Sequence, residues 1–585
     1  MTTINEDPAA VTSAYDDIVD GLTRSGADYE MIETPSPHGS GTVRHFRHAS
    51  PTLDAIVSDF EDRHGPRSLT IGHGGSYTYS EVFARSRRLA WSLHHELGIT
   101  AADRVGIMML NRADYLVALF AAIRIGAVAV LLNSRASVSE TRDALADVPC
   151  AVVLADGKRI DQLQTIGTVA CLVTVDAGQA DTDVRSIDDL IDRAVEDAPQ
   201  ASAHPDETSV ILFTSGTSGR AKGVALSHRA MGTVVHNMRF VTDVNLEFAS
   251  RTYSIPIADM RPLMPTVSTL LVFPLFHVSG IAALMVTMNS GGVIATMPRW
   301  SPEEAVRLIS ENGLTLMAGP PLTVDELLSV PGSDVALSSL INVVPGGQAT
   351  PPNVTAKIST GLPNAQRSAG WGMTEVGGSV CTANGQILRA IPTTSGPMSP
   401  TMDVRVTDGG AVLQTGEVGE LEIRGGQVMS EYVGRPAETR EAFVDGWLRT
   451  GDVGYVDEYN LVHIVDRKKD IVISAGENIS CAEVEAVIAA SGLFEEVAAF
   501  GVPDDRLGER LVVAVSPADG ITVDVEDVLV IARTTLPEYK IPSAVQMRTA
   551  RMPRTATGKV LKRLLRDEYQ RHSAGVATTE RPLQS

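Results

Sequence analysis

Apolar residues return at Val82, Leu89, Ala90, Leu93 and Leu97, the three-to-four spacing of one helix face, and Ser80 stands where a cap would start that helix. Shorter apolar runs follow on consecutive positions. Residues 104–109 read as a strand, 113–125 as a helix and 128–132 as a strand; 151–155 and 171–175 add two more strands, and 187–195 a helix. Later, 229–240 and 280–288 have helical spacing, 269–273 reads as a strand, and 250–267 has no period and reads as loop. Such alternation predicts layered α/β structure. Turn residues divide 404–424 into strand, turn and strand, the mark of a β-rich subdomain. Helices over 482–490 and 525–536 with strands at 497–502, 511–515 and 545–548 make a small α+β unit.

The pattern predicts an irregular lead-in over 1–50 with one helix near 14–22, a large α/β domain over 51–465, and a connector at 466–470. A small α+β domain follows over 471–572, then a disordered tail from 573. Length agrees, because single cores stop growing near about 250–300 residues and this chain has 585.

Composition removes several function classes. A formal net charge of −22 argues against a nucleic-acid partner, whose binding rests on basic surface. Cys150, Cys171, Cys381 and Cys481 are scattered, with no spacing for zinc or for a disulfide framework. The N-terminus is acidic and polar, unlike a signal peptide, and the longest apolar stretches are broken by Arg124 and Gly126 or by Pro274 and His277. The expectation is a cytoplasmic enzyme with no integral membrane segment.

Chemistry concentrates where the apolar run 210–213 enters Thr214-Ser215-Gly216-Thr217-Ser218-Gly219-Arg220-Ala221-Lys222-Gly223. Glycines let the backbone approach an anion, exposed N–H groups and hydroxyls donate to it, and Lys222 adds charge, so the loop suits polyphosphate. Lys222 precedes Gly223 and no hydroxyl follows, so this is not the G-x-x-x-x-G-K-[ST] loop. Four further stretches interrupt apolar runs with glycine or charge: Pro274-Leu275-Phe276-His277-Val278-Ser279-Gly280, Val343-Val344-Pro345-Gly346-Gly347, Gly370-Trp371-Gly372-Met373-Thr374-Glu375 and Arg449-Thr450-Gly451-Asp452. A charge-dense segment, Asp466-Arg467-Lys468-Lys469-Asp470, separates two apolar runs as a connector between bodies does. Near the end, Pro553-Arg554-Thr555-Ala556-Thr557-Gly558-Lys559 presents a lysine after a glycine.

In this order, these motifs resemble the adenylate-forming superfamily, which includes acyl-CoA synthetases, peptide-synthetase adenylation domains and luciferases; the likeness covers about 50–570 and the wording is nearest the acyl-CoA synthetases. The resemblance implies an AMP-forming carboxylate–CoA ligase that makes an acyl-adenylate and pyrophosphate, then an acyl-CoA and AMP, with ATP, Mg²⁺ and CoA. It assigns phosphate contacts to Thr214, Ser215, Gly216, Thr217, Ser218, Gly219, Lys222 and Thr374, and magnesium to Glu375. It puts Gly347, Gly370, Trp371, Gly372 and Met373 around the adenine, although Gln348-Ala349 departs from the family's Ala-Pro after Gly347. Asp452 and Arg467 fall on the ribose, Gly476 on the thiol channel, His277, Val278 and Gly280 on the acyl pocket. The resemblance makes 466–470 a hinge with Lys469 on its torsion and the small α+β domain mobile, and it puts Lys559 on the adenylation step. The basic run Arg548, Arg551, Arg554, Lys559, Lys562, Arg563 and Arg566 is either a solvated face or a contact for CoA phosphates. The expected partners are a small, hydrophobic carboxylic acid, ATP and CoA, and a homodimer stays open. A carrier-loading acyl-AMP ligase, a luciferase-like oxidative enzyme and a non-catalytic nucleotide-binding protein remain the alternatives.

Overall fold

The apolar run that leads into the glycine-rich loop becomes the strand Thr208–Phe213. This is a computed structural model, and it describes residues 7–101, 103–176, 183–198, 203–214, 220–346, 352–362, 365–475, 477–518, 520–555 and 558–573. Val210 and Leu212 enter one core while Ile211 and Phe213 enter another. Neighbouring Val128–Leu131 divides in the same way, with Ala129 and Leu131 on one face and Val128 and Val130 on the other. An unbroken apolar run is what a strand covered on both faces requires.

Among the described residues these strands lie in an eight-stranded sheet. From Thr208–Phe213 it continues in parallel through Val128–Leu131, Arg104–Met108, Val152–Ala155, Leu172–Thr174 and Val184–Ser186. On its other side Gly223–Ser227 returns antiparallel and Glu431–Tyr432 forms the edge. A second sheet of seven strands is parallel through Gln366–Arg367, Asn342–Pro345, Leu316–Gly319, Thr269–Leu271, Ile294–Thr296 and Ser68–Gly72.

One continuous core joins the sheets. Phe60, Tyr79, Leu89, Tyr115, Phe120 and Met285 from four helices pack between Ile107 and Leu212 of the first sheet and Leu271 and Ile294 of the second. The helix Ala113–Arg124 is buried from Ala113 through Ile123, which explains why its apolar residues leave no polar face. Each sheet's other face carries its own helices: Leu145, Ile160 and Leu163 cover the first, and Ala305, Val324 and Ile358 the second.

A third, antiparallel sheet contains Leu461–Arg467, Trp447–Val456, Gly419–Gly425 and Met402–Asp408. From its strand Leu461–Arg467 the chain passes through the short turn Lys468–Asp470 into Ile471–Ser474, which belongs to the five-stranded sheet of a small α+β domain. That domain's core is built from Val472, Val484, Val513 and Val528.

Three details differ from the sequence pattern. The helix Tyr79–His95 is capped by Thr78, not Ser80, because Thr78 and Glu81 satisfy each other's backbone N–H groups in a capping box. The helix His228–Tyr253 runs well past 240 into the expected loop, followed by the short turns Ile257–Met260 and Arg261–Leu263. Its continuation presents Phe240, Val244 and Phe248 at four-residue spacing, and what covers them is the lead-in, which from Pro8 on carries regular elements. There the helix Pro8–Thr23 and the antiparallel pair Met31–Pro35 and Thr42–Phe46 supply Ile18, Tyr29 and Phe46 to one cluster with those three side chains. The Tyr29 hydroxyl also donates to Asp243 at 2.7 Å. A helix stripe and its partner were separated by two hundred residues, so neither read as half of a core. The expected tail lies outside the described residues, except for Ser573, which ends the helix Lys562–Ser573.

The Ile18 side chain is 1% exposed. Truncating it in Ile18→Ala is expected to cost about 2–4 kcal/mol, read as a lower midpoint of denaturant unfolding; an unchanged midpoint would mean that the lead-in is not part of the cooperative unit.

Candidate active site

Both parallel sheets end on the same cleft, where ligands of such sheets bind, outside the carboxyl ends of the strands. The first wall is the hairpin of Thr208–Phe213 with Gly223–Ser227. Its mouth is tied by the Thr214 N–H donating to the Lys222 carbonyl at 3.0 Å and the Lys222 N–H donating to Thr214 Oγ1 at 3.1 Å. Ser215, Gly216, Thr217, Ser218 and Gly219, like Gly347 and Gly476, lie outside the described residues. Arg220 fastens the returning limb by an ion pair with Asp147 at 2.9 Å.

The Lys222 ammonium sits over the ring of Tyr432, 4.4 Å from its centroid. The Tyr432 hydroxyl in turn donates to Glu375 Oε1 at 2.8 Å. Thr374 and Glu375 are both 8% exposed, on a short helical turn after the strand Ala369–Met373, which carries Gly370, Trp371, Gly372 and Met373. Burial pushes the Glu375 carboxyl above the usual carboxylate range, and donation from Tyr432 acts in the opposite direction.

Trp371 is buried and its indole N–H donates to Asp452 Oδ2 at 2.7 Å. Arg467 Nε meets Asp452 Oδ1 at 2.7 Å across the paired strands Trp447–Val456 and Leu461–Arg467. Asp452 is 2% exposed, and burial raises its pKa while Arg467 lowers it. Each carboxylate oxygen has a further lone pair for a hydroxyl donor. The arrangement can therefore accept from a diol.

Lys559 of the small domain lies within electrostatic reach of this pair and makes no direct ion pair with Asp452: its charge lowers the pKa of Asp452, and the charge of Arg467 lowers its own. Its loop is tied down by the Lys559 N–H donating to Thr555 Oγ1 at 3.1 Å and by Arg554 donating to the Gly558 carbonyl at 2.7 Å. Gly558 has φ +87°, and a Cβ there would stand 3.1 Å from Pro320 of the large domain. Only glycine takes that conformation at so close an approach without strain. A cleft of about 290 Å³ opens beside it, between Asn111, Pro274, Trp300 and Pro320 on one side and Arg554 and Gly558 on the other.

His277 caps the helix Val278–Ser290, its Nδ1 accepting from the Ser279 N–H at 3.3 Å. Burial lowers its pKa to about 4, so the ring is neutral. Gly280 lets this helix start against the preceding loop, because a Cβ there would fall 2.1 Å from the Pro274 carbonyl oxygen. Asn111 holds that loop: its Nδ2 donates to the Phe273 carbonyl at 2.9 Å and its Oδ1 accepts from the Leu275 N–H at 2.8 Å.

Asn111, Asp147 and Tyr432 escape a reading of the sequence. None stands in a motif that the family resemblance picks out, and each acquires its role from a partner far along the chain. The basic run near the C-terminus mostly serves the fold: Arg548 pairs with Glu568, Arg554 with Glu496 and Lys562 with Glu485. Arg551 reaches the large domain at Glu326, 3.7 Å away. The turn Lys468–Asp470 holds Lys469, whose pKa is lowered by burial.

Burial first and the Arg467 charge second bring Lys559 down to about 8. The sign is that of a cation made less favourable: Lys559 is charged below that pH and loses its proton as pH rises through it. Competitive amine labelling of the ligand-free protein, read by mass spectrometry, is expected to give Lys559 a midpoint near 8 and to move it upward in Arg467→Ala. An ordinary lysine titration in both proteins would refute the proximity.

Comparison with known proteins agrees with the geometry. The AMP-binding enzyme family matches residues 56–433 and the AMP-binding enzyme C-terminal domain matches 483–559. The chain is 32% identical over 514 residues to a feruloyl-CoA synthase of an Amycolatopsis species, covering 87% of this chain and 97% of that one. It is 30% identical to the long-chain-fatty-acid–CoA ligase FadD13 of Mycobacterium tuberculosis strain H37Rv, covering 84% and 93%. Among solved structures, ATP-bound MatB from Rhodopseudomonas palustris superposes with a TM-score of 0.76 at 26% identity, covering 88% of this chain and 99% of that one. With its two matched domains and a cleft lined by both of them, this chain belongs to the AMP-binding enzyme family.

Proposed function

We propose that the protein is an ATP-dependent carboxylate–CoA ligase acting on a hydrophobic carboxylic acid. The observation that carries this reading is the cleft lined by both domains, where Gly558, next to Lys559, stands against Pro320 and the buried Asp452–Arg467 pair lies within electrostatic reach of Lys559. The two enzymes named above, a feruloyl-CoA synthase and a long-chain-fatty-acid–CoA ligase, support both the acceptor and the apolar character of the acid.

Asp452 accepts from the ribose hydroxyls and Arg467 holds that carboxylate in place. Lys222 and the phosphate loop hold the β- and γ-phosphates, and Thr374 donates to phosphate. Glu375 offers one hard carboxylate, the share Mg²⁺ takes when the remaining ligands are phosphate and water. Bound there, Mg²⁺ supplies charge neutralisation for the triphosphate.

The substrate carboxylate attacks the α-phosphorus, the bond to the bridging oxygen breaks, and pyrophosphate leaves. Attack brings an anion to an anionic centre, so alignment and fixed positive charge carry the acceleration. Lys559 places its ammonium at that developing charge. The CoA sulfur, after releasing its proton to water, then attacks the acyl carbon and AMP departs. For this step Lys559 must withdraw and the thiol must enter, which the turn Lys468–Asp470 permits by rotation at Lys469, bringing Gly476 toward the channel. His277, Val278 and Gly280 border the acyl chain, with His277 neutral and so tolerant of an apolar group. The cytoplasm, which supplies both ATP and CoA, is the setting this reading favours; no helix among the described residues is long and apolar enough to cross a membrane. The residues named all come from one chain, so the chemistry does not call for a homodimer.

AMP and pyrophosphate release should require an acid, ATP and Mg²⁺ together, and AMP release should rise with CoA across aromatic and aliphatic acids. Adenylate formation indifferent to CoA would instead indicate a carrier-protein thiol. Lys559→Ala is expected to slow adenylation by about 10²–10³-fold while a supplied acyl-adenylate is still converted to acyl-CoA; equal loss of both half-reactions would count against the two-position scheme.

A further inference from the structure

We propose that Tyr432 is a positioning residue that couples the phosphate-loop lysine to the metal-side carboxylate, its ring holding the Lys222 ammonium and its hydroxyl holding Glu375. The proposal rests on the roles given to Lys222 and Glu375 above.

Three observations carry it. The first is contact at both ends of one side chain: Lys222 Nζ is 4.4 Å from the ring centroid and Glu375 Oε1 is 2.8 Å from the hydroxyl. The second is rigidity. Tyr432 is 6% exposed, its N–H donates to Thr439 Oγ1 at 3.0 Å, and its carbonyl accepts from the Arg435 N–H at 3.0 Å. On the carboxylate side, the Met429 N–H donates to the Glu375 carbonyl at 2.8 Å, tying the two segments together three residues before Tyr432. The third is a shared anchor. Asp147 pairs through Oδ1 with Arg220 at 2.9 Å and through Oδ2 with Arg435 at 2.7 Å. Arg220 precedes Lys222 by two residues and Arg435 follows Tyr432 by three, so one carboxylate sets the separation of the backbones that carry the lysine and the ring.

The arrangement has a chemical purpose. A lysine and a carboxylate that share a partly dry site would otherwise pair with each other, and each would then be unavailable to its ligand. Tyr432 gives the ammonium an aromatic face, a partner it leaves readily for phosphate. It gives the carboxylate one hydrogen-bond donor and leaves its other lone pairs for a cation.

The test is ATP binding by equilibrium dialysis, with and without Mn²⁺ as the probe ion, and with bound Mn²⁺ read from its electron paramagnetic resonance signal. Tyr432→Phe keeps ring and volume and loses the hydroxyl. It should leave metal-free ATP affinity within about twofold, while the factor by which Mn²⁺ tightens binding falls about tenfold. Tyr432→Leu also loses the ring and should weaken metal-free ATP binding about three- to tenfold. An unchanged Mn²⁺ factor in Tyr432→Phe, beside a reduced one in Glu375→Gln, overturns the coupling alone. An unchanged factor in Glu375→Gln overturns the metal-side role of that carboxylate and the coupling with it. Equal losses with and without Mn²⁺ in both tyrosine variants would mean that Tyr432 serves only packing, and would also overturn the proposal.

Discussion

A carboxylate buried at Asp452 must be compensated, and the way it is compensated holds the site together. One oxygen takes the indole N–H of Trp371 and the other the guanidinium of Arg467. Trp371 comes from the hairpin of Ala369–Met373 with Gly378–Ala383, Asp452 from the antiparallel sheet, and Arg467 from the last strand before the small domain. Two separately folded segments, the hairpin and the paired strands of the antiparallel sheet, therefore meet at one charge. An uncompensated buried carboxylate is costly, so any displacement of one against the other is resisted.

Around that point the large domain supplies strand ends and the small domain supplies a cation. Burial on both faces of the parallel strands leaves their carboxyl ends as the place where backbone and loops can meet a ligand. The residues there divide by chemistry. Lys222, Tyr432 and Glu375 form one chain of contacts and Trp371, Asp452 and Arg467 another. Contacts across the domain boundary include a polar pair, Arg551 with Glu326, and a close steric approach, Gly558 against Pro320.

Much of the layered architecture was legible from periodicity, because a strand buried on both faces and a helix buried on one leave different marks in the order of residues. The run into Thr208–Phe213 and the unbroken apolar stretch of Ala113–Arg124 are examples. The lead-in was not legible. Its apolar residues are few and irregularly spaced, and only the stripe Phe240, Val244 and Phe248 gives them a core to join. Lys222, Glu375, Asp452 and Lys559 could be singled out because each stands in a motif that resembles the adenylate-forming superfamily. Tyr432 stands in none of those motifs, and its two partners are fifty-seven and more residues away.

By itself, the sequence determined the succession of α/β layers, the glycine- and hydroxyl-rich make-up of the loop after Phe213, and the residue types able to meet a nucleotide and a metal. These depend on local order: hydrophobic period, backbone freedom at glycine, and the charge of a side chain. Tertiary structure alone decided which of these groups share a site, which are spent on one another, and how Asp452 is compensated by Trp371 and Arg467. Burial, electrostatic compensation and close approach are properties of groups brought together from distant positions, and no local pattern encodes the distance between them.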